Sequence, residues 1–360
     1  MKSKFTKSIL LAILFFFFVS WFYKTIVLIL LVLVWRKELK SLRKWSVKAT
    51  MGVLFIVLFC VMPRYRYNTS DRVRLIYQDE NYTPVMPPIH HYLINLFLPE
   101  EEICNLGVWG ARIIPKSMFP FAGWLLDEFK YEMKQGNTGK FLKPYRILNR
   151  RGLYPMSGTT SQVCNMMGID DTRSVYLITP QNYDKNKTYP VVFFMHGYLG
   201  NWKNYTGVLQ DIKDCIVLCV GTKDWSGIYS SNDIKELLNK QIPFLERLGY
   251  KVDTKNLHLI GLSNGGSASN VVYQSFSSKF KSIAFVSTGI HQTYPISSKV
   301  LLIGGGKDHS SSSLPSAYQV LKMNGTQVDM YWGKEESHFV LLSKLYDVTT
   351  FLNKHYTILN

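Results

Sequence analysis

The second half of this 360-residue chain predicts a mostly parallel, doubly wound α/β sheet with helices on both faces. Three observations carry this reading. From about Ser174, short apolar runs alternate with longer amphipathic ones. The short runs are apolar at successive positions, as strands buried on both faces must be. The chain is also 47% hydrophobic, enough to build a large core.

Taken in order, the predicted strands are SVYLIT (174–179), PVVFFMH (190–196), CIVLCVG (215–221), LHLIGL (257–262), SIAFVS (282–287), KVLLIGG (299–305) and VDMYWG (328–333). Helical spacing is read over Asn232–Leu248, Asn264–Phe276, Ser312–Met323 and Phe339–His355. Such alternation builds parallel units and puts functional loops at the carboxyl ends of the strands.

Two apolar runs precede this region. Ser8–Trp35 is interrupted only by Ser20, Lys24 and Thr25, and Val47–Met62 only by Lys48 and Thr50. Both are expected to be membrane spans, the first either a single tilted helix or a hairpin bent at Lys24. No small-residue cleavage site precedes Arg36, which argues against a cleaved signal peptide. The formal net charge is +17, and residues 1–62 hold ten Lys/Arg against the single acid Glu38. The excess therefore reads as membrane topology, not nucleic-acid binding. The basic stretch RKELKSLRKWSVK places that loop in the cytoplasm, and residues after Pro63 on the extracytoplasmic side. The expected organisation is a membrane anchor over 1–62, an accessory region over 63–160 and a catalytic domain over 161–360.

The accessory region holds one amphipathic stretch, Phe121–Lys134, read as an ordinary helix packing on the main domain, with a lid or bilayer-surface helix as the alternative. The adjacent pair His90–His91 invites a metal reading but is a weak signal for one, because neighbouring side chains diverge in helix and strand alike. No cysteine pair has CxxC spacing, and no metal is expected. Cys104 and Cys164 are open to a disulfide if their compartment is oxidising, while Cys215 and Cys219 read as core thiols.

After LHLIGL comes Gly261-Leu262-Ser263-Asn264-Gly265-Gly266, then a helix. This is a G-x-S-x-G nucleophile elbow in the strand-to-helix context that the motif needs. Gly261 and Gly265 leave room where the two backbones approach. A serine hydroxyl needs a base, and the base needs a carboxylate to hold its tautomer. The order Ser263, Asp308, His338 supplies both from successive strand-end loops. Rivals are weaker: Asp224 follows an earlier strand, and His258, His291, His309 and His355 lie at strand starts, beside the acid loop or at a helix end. The backbone N–H groups of Asn264 and Tyr198 are the candidate oxyanion donors, with Gly197 giving the second loop its room. His196 reads as structural. Trp202, Tyr205, Asp224 and Trp225 are candidate substrate-pocket residues, with surface residues that pack loops as the alternative.

HGYLG (196–200), GLSNGG (261–266), Asp308 and His338 together resemble the α/β-hydrolase superfamily over about residues 170–360. Within it, YPVVFFMHG and GLSNGG look like the esterase and polyhydroxybutyrate-depolymerase-type branch. Prolyl-oligopeptidase-type peptidases share the elbow and the triad order. The resemblance implies acyl transfer through an acyl-enzyme without a cofactor, on a small-molecule or lipid-like ester. A peptidase, an acyltransferase and an inactive binding module of the same fold are the alternatives.

Overall fold

In a computed structural model, the chain is described over residues 2–18, 21–35, 44–60, 64–66, 72–97, 100–118, 123–141, 153–155, 163–165, 167–171, 173–198, 205–222 and 226–356. All seven predicted strands form. They are β5 (Arg173–Ile178), β6 (Tyr189–Met195), β7 (Ile216–Val220), β8 (Val252–Leu262), β9 (Ser282–Val286), β10 (Lys299–Gly305) and β11 (Val328–Gly333). With β2 (Val73–Gln78) and β3 (Pro84–Val85) they make a nine-stranded sheet in the order β11-β10-β9-β8-β6-β7-β5-β2-β3. The strands from β11 to β7 run parallel; β5 is antiparallel to β7, and β2 to β5. Two three-residue strands, β1 (Arg64–Arg66) and β4 (Leu153–Pro155), form a separate small sheet.

Alternation along each strand divides the core between two helical layers. Val191, Phe193, Leu259, Phe285 and Leu302 face the helices that carry Phe244, Val272 and Leu321. Val192, Phe194, Ile260, Ala284 and Ile303 face the layer that holds Val208, Val348 and Leu352. This two-sided burial is the physical reason that these strands read as unbroken apolar runs.

The helices follow the expected ranges with local adjustments. Asn232–Leu248 is a helix from Ser231 to Glu236, a π-helical stretch Leu237–Gln241, and a further helix Ile242–Arg247. A capping box between Ser230 and Asp233 starts it. Phe339–His355 is divided into Val340–Ser343 and Leu345–Tyr356.

The sheet also begins far upstream of residue 161. β2 lies in the stretch assigned to the accessory region, and it pairs with β5 over six registered residues, Val73↔Ile178 to Gln78↔Arg173. The Gln78 and Gln241 amides are buried and bond each other reciprocally at 2.9 Å.

Among the described residues, no helix over 8–35 or 47–62 is long and apolar enough to be the expected membrane span. The first run is divided into the helices Lys2–Phe17 and Trp21–Val34, which pack on each other; the Trp35 indole donates to the Ser8 hydroxyl at 2.6 Å. Lys24 is not at a bend but inside the second helix, its ammonium 5.2 Å from the Trp21 ring centre and 5.5 Å from that of Phe15. The second run forms the 17-residue helix Lys44–Cys60. At about 1.5 Å per residue, each falls short of a hydrocarbon core about 30 Å thick. No described helix is long and apolar enough to cross a membrane. All five cysteines are free, so Cys104 and Cys164 are not joined.

Phe193 is fully buried at the centre of the sheet. Phe193→Ala is expected to cost about 3–5 kcal/mol of folding stability, measured by urea unfolding.

Candidate active site

Strand order reverses between β6 and β8: β7 follows β6 on one side, while β8 to β11 extend on the other. Ligands in open α/β sheets bind beyond the carboxyl ends of strands at such a switch point. Ser263 directly follows β8 there, and His196-Gly197 directly follows β6. The turn at Ser263 has φ +54°, an unfavourable conformation for a non-glycine residue. It is held by close backbone packing. A Cβ on Gly265 would meet the Met195 carbonyl oxygen at 2.3 Å, and one on Gly261 would meet the Gly265 carbonyl oxygen at 2.4 Å. The β6 loop is equally near, since a Cβ on Gly197 would lie 2.9 Å from Ser263 Cβ.

Ser263 Oγ lies 2.9 Å from His338 Nε2, and His338 Nδ1 lies 3.1 Å from Asp308 Oδ1. An ionised Asp308 can only accept, so the ring proton sits on Nδ1 and Nε2 accepts from the Ser263 hydroxyl. Asp308 and His338 are buried, and Ser263 is half-buried. Burial alone would push the Asp308 carboxyl up. The bond and charge of His338, with the Ser310 N–H at 2.9 Å, outweigh it and hold the carboxyl below the usual range. The Ser287 hydroxyl donates to the His338 carbonyl at 2.9 Å.

The helix Gly123–Lys134 adds a second set of contacts. Its Glu128 accepts the backbone N–H of His338 at 2.7 Å and of His309 at 2.9 Å. Its Glu132 accepts the Ser337 hydroxyl at 2.6 Å, and Tyr131 donates to the Glu335 carbonyl at 3.0 Å. Trp124 meets the His338 ring edge to face, with centroids 5.2 Å apart. Burial pushes the Glu128 carboxyl above its usual range, and the two N–H bonds pull it back in part. The helix is therefore amphipathic in an unexpected sense: Glu128 and Glu132 are buried and bind the two loops that carry Asp308 and His338. No local sequence signal marks these two glutamates as buried.

His196 is buried, with Nδ1 2.6 Å from the Gly197 carbonyl and Nε2 3.3 Å from the Thr222 N–H. Both ring nitrogens are thus spent on tying the β6 loop to the end of β7. Asn264 directs its side-chain amide to the Ser226 carbonyl at 2.7 Å, and Tyr198 is exposed. Tyr205 packs against Phe194 in the core. Trp202, Asp224 and Trp225 lie outside the described residues. Among the rival histidines, His258 bonds Ser282 and is pushed down to about 4 by burial and then Lys281, while His355 faces Asp329. His90 and His91, expected to diverge, both direct Nε2 at Asp170 Oδ2. A pocket at the carboxyl ends of β6 and β7 is lined by Met195, Val220, Thr222, Tyr229, Arg173 and Glu236, the last two paired at 2.7 Å.

No protein-family model and no curated protein matches the chain. Among solved structures, it is similar to a serine-to-alanine mutant of the feruloyl esterase module from Clostridium thermocellum complexed with sinapinate. Identity there is 14% and the TM-score 0.42, over 52% of this chain and 85% of that one. It is also similar to the acylaminoacyl peptidase of Pyrococcus horikoshii, at 16% identity and TM-score 0.39, over 53% of this chain and 41% of that one. A thermostable esterase matches at 17% identity and TM-score 0.35, over 45% of this chain and 50% of that one. The match thus spans half or less of the length of the last two.

Two predictions follow from the buried carboxylates. Glu128→Gln sets an amide donor against one of two backbone N–H groups. It is expected to lose about 1.5–3 kcal/mol in urea unfolding. Exposed Glu246→Gln should change stability by less than about 0.5 kcal/mol. Because Asp308 is held low in the folded state, its stabilisation is complete above the ordinary carboxylate range and lost as pH falls through the lowered value. The stability gap between wild type and Asp308→Asn should therefore close on acidification, measured by unfolding at a series of pH values.

Proposed function

We propose that the chain is a serine hydrolase of the α/β-hydrolase type that cleaves carboxylic esters. The observation that carries this reading is the hydrogen-bonded line from Ser263 through His338 to Asp308, with Ser263 at a positive φ on a strand-to-helix turn. Ser263 Oγ attacks the ester carbonyl while His338 Nε2 takes its proton, and Asp308 stabilises the imidazolium. The developing oxyanion is met by the backbone N–H groups of Asn264 and Tyr198. The tetrahedral species then expels the alcohol, protonated by His338, and leaves an acyl-enzyme. Water, deprotonated by His338, attacks that acyl group and returns the free acid and Ser263. The proposed substrate is a small-molecule or lipid-like ester. Trp202 and Trp225 are proposed to line its pocket.

Association with a lipid bilayer belongs to the same reading. It is supported by the large apolar side chains left exposed on the N-terminal helices, Phe5, Phe16, Phe55 and Ile56 among them. The basic loop over 36–48 supports an extracytoplasmic position for residues 63–360. Alkaline-phosphatase fusions after Lys44 and after Tyr77 test it. The Tyr77 fusion is expected to be active and the Lys44 fusion silent; the opposite pattern would reject the assignment.

Ser263→Ala is expected to lower turnover of p-nitrophenyl esters by about 10⁶-fold and to abolish fluorophosphonate labelling. Asp308→Asn should cost about 10⁴-fold, since the tautomer is no longer held. Near-normal activity in the Ser263→Ala protein would overturn the mechanism. Faster cleavage of aminoacyl substrates than of esters in the wild type would shift the reading to a peptidase.

A further inference from the structure

His90, His91, Cys164 and Asp170 take no part in the proposed hydrolysis, yet they converge. Each offers one ligand atom, and these atoms all lie within 4.8 Å of one another. Two local devices bring them together. His90 and His91 lie in the first turn of the helix Ile89–Phe97, where the His91 N–H bonds the Pro88 carbonyl at 3.0 Å. Cys164 and Asp170 stand on either side of a tight turn. There the Ile169 N–H reaches back to the Cys164 carbonyl at 2.9 Å, and Gly168 takes φ +65°. His91 is fully buried against the Tyr77 ring, at 5.2 Å, so the cluster packs on β2.

The bonding within the cluster is incomplete for a purely structural network. Two imidazole Nε2 atoms converge on one oxygen, Asp170 Oδ2, His91 at 2.9 Å. The Nδ1 of His91 is buried with no hydrogen-bond partner. Beside them lies the fully buried Cys164 thiol. Two imidazoles, a thiol and a carboxylate form the mixed nitrogen, sulfur and oxygen set that suits a tetrahedral zinc ion and not magnesium or calcium. Zinc at about 2.0–2.3 Å from each ligand places them about 3.4–3.8 Å apart, so the present spacing needs an adjustment of about 1 Å.

We propose that His90, His91, Cys164 and Asp170 bind a single zinc ion that ties the start of the Ile89–Phe97 helix to the turn leading into β5. Cys164 ligates the ion as a thiolate. The ion displaces that thiol proton to solvent on binding. The site joins segments about 80 residues apart, and its role is structural. All four positions are occupied by protein, with none left for a substrate or water.

The test uses the full chain, purified in detergent and stripped with a chelator, with zinc and cobalt(II) as probes. Wild type is expected to bind one zinc per chain, by elemental analysis after dialysis, and to unfold at a higher temperature with zinc than without. Cobalt(II) should give the near-ultraviolet charge-transfer band of a thiolate ligand, which needs no variant to interpret. Cys164→Ser and His91→Gln should weaken zinc binding at least about 10-fold and, for Cys164→Ser, abolish the band. Exposed Cys60→Ser should keep both. Absence of stoichiometric zinc in the wild type, a cobalt complex without the thiolate band, or binding unchanged in Cys164→Ser would overturn the proposal. Because none of these readouts involves Ser263, failure here leaves the hydrolase reading untouched, and the converse holds.

Discussion

The geometry of the site rests on how closely the end of β6 approaches the turn after β8. Gly265 sits beneath the carbonyls of Met195 and His196, with no room for even one methyl group. That contact presses the start of the Gly266–Ser275 helix onto the sheet and leaves Ser263 at the apex of the turn in a left-handed conformation. The strain is tolerable because tightly packed backbone on both sides overdetermines it. From this point the remaining distances follow. His338 reaches Ser263 only because β10 and β11 continue the parallel register and deliver Asp308 and His338 at the same edge.

A backbone register places a loop to within an ångström or so, but it does not fix a ring. His338 is fixed by contacts on four sides: Asp308 and Ser263 on its nitrogens, Glu128 on its backbone N–H, and Ser287 on its carbonyl. The Glu128 contribution is electrostatically awkward. Burial, and to a smaller extent the nearby Asp308 charge, raises the proton affinity of Glu128. The two N–H groups that it accepts offset part of that cost, and the result is a stiff, largely dehydrated wall behind the imidazole. Trp124 completes it by covering the ring.

What could be read from the sequence follows the range over which each signal acts. The seven C-terminal strands, the elbow and the three chemical residues depend on local periodicity and on loop position, and these survive in a linear string. β2 was not read, because VRLIYQ sits among prolines and tyrosines and its partner, β5, lies about 100 residues downstream. Glu128 was not singled out, since nothing local distinguishes a buried acid from an exposed one. His90 and His91 were set aside on the argument that neighbours diverge; long side chains at a helix start can still converge when an aspartate stands between them. The apolar N-terminal run was read as one tilted helix or as a hairpin bent at Lys24; the helices described there are Lys2–Phe17 and Trp21–Val34, with Lys24 inside the second.

The antiparallel pairing of β2 on β5 bears on how this protein can be cut. A fragment beginning at 161 would contain every residue of the Ser263–His338–Asp308 line and would look, from motifs alone, like a complete catalytic unit. It would also uncover the edge of β5, five of whose six residues are buried here, and present unpaired N–H and C=O groups to other chains. It would leave the Gln241 amide without its partner Gln78, and the His338 and His309 N–H groups without Glu128. Such a fragment is a template for edge-to-edge aggregation. The smallest unit with a protected sheet and a braced imidazole begins before Val73.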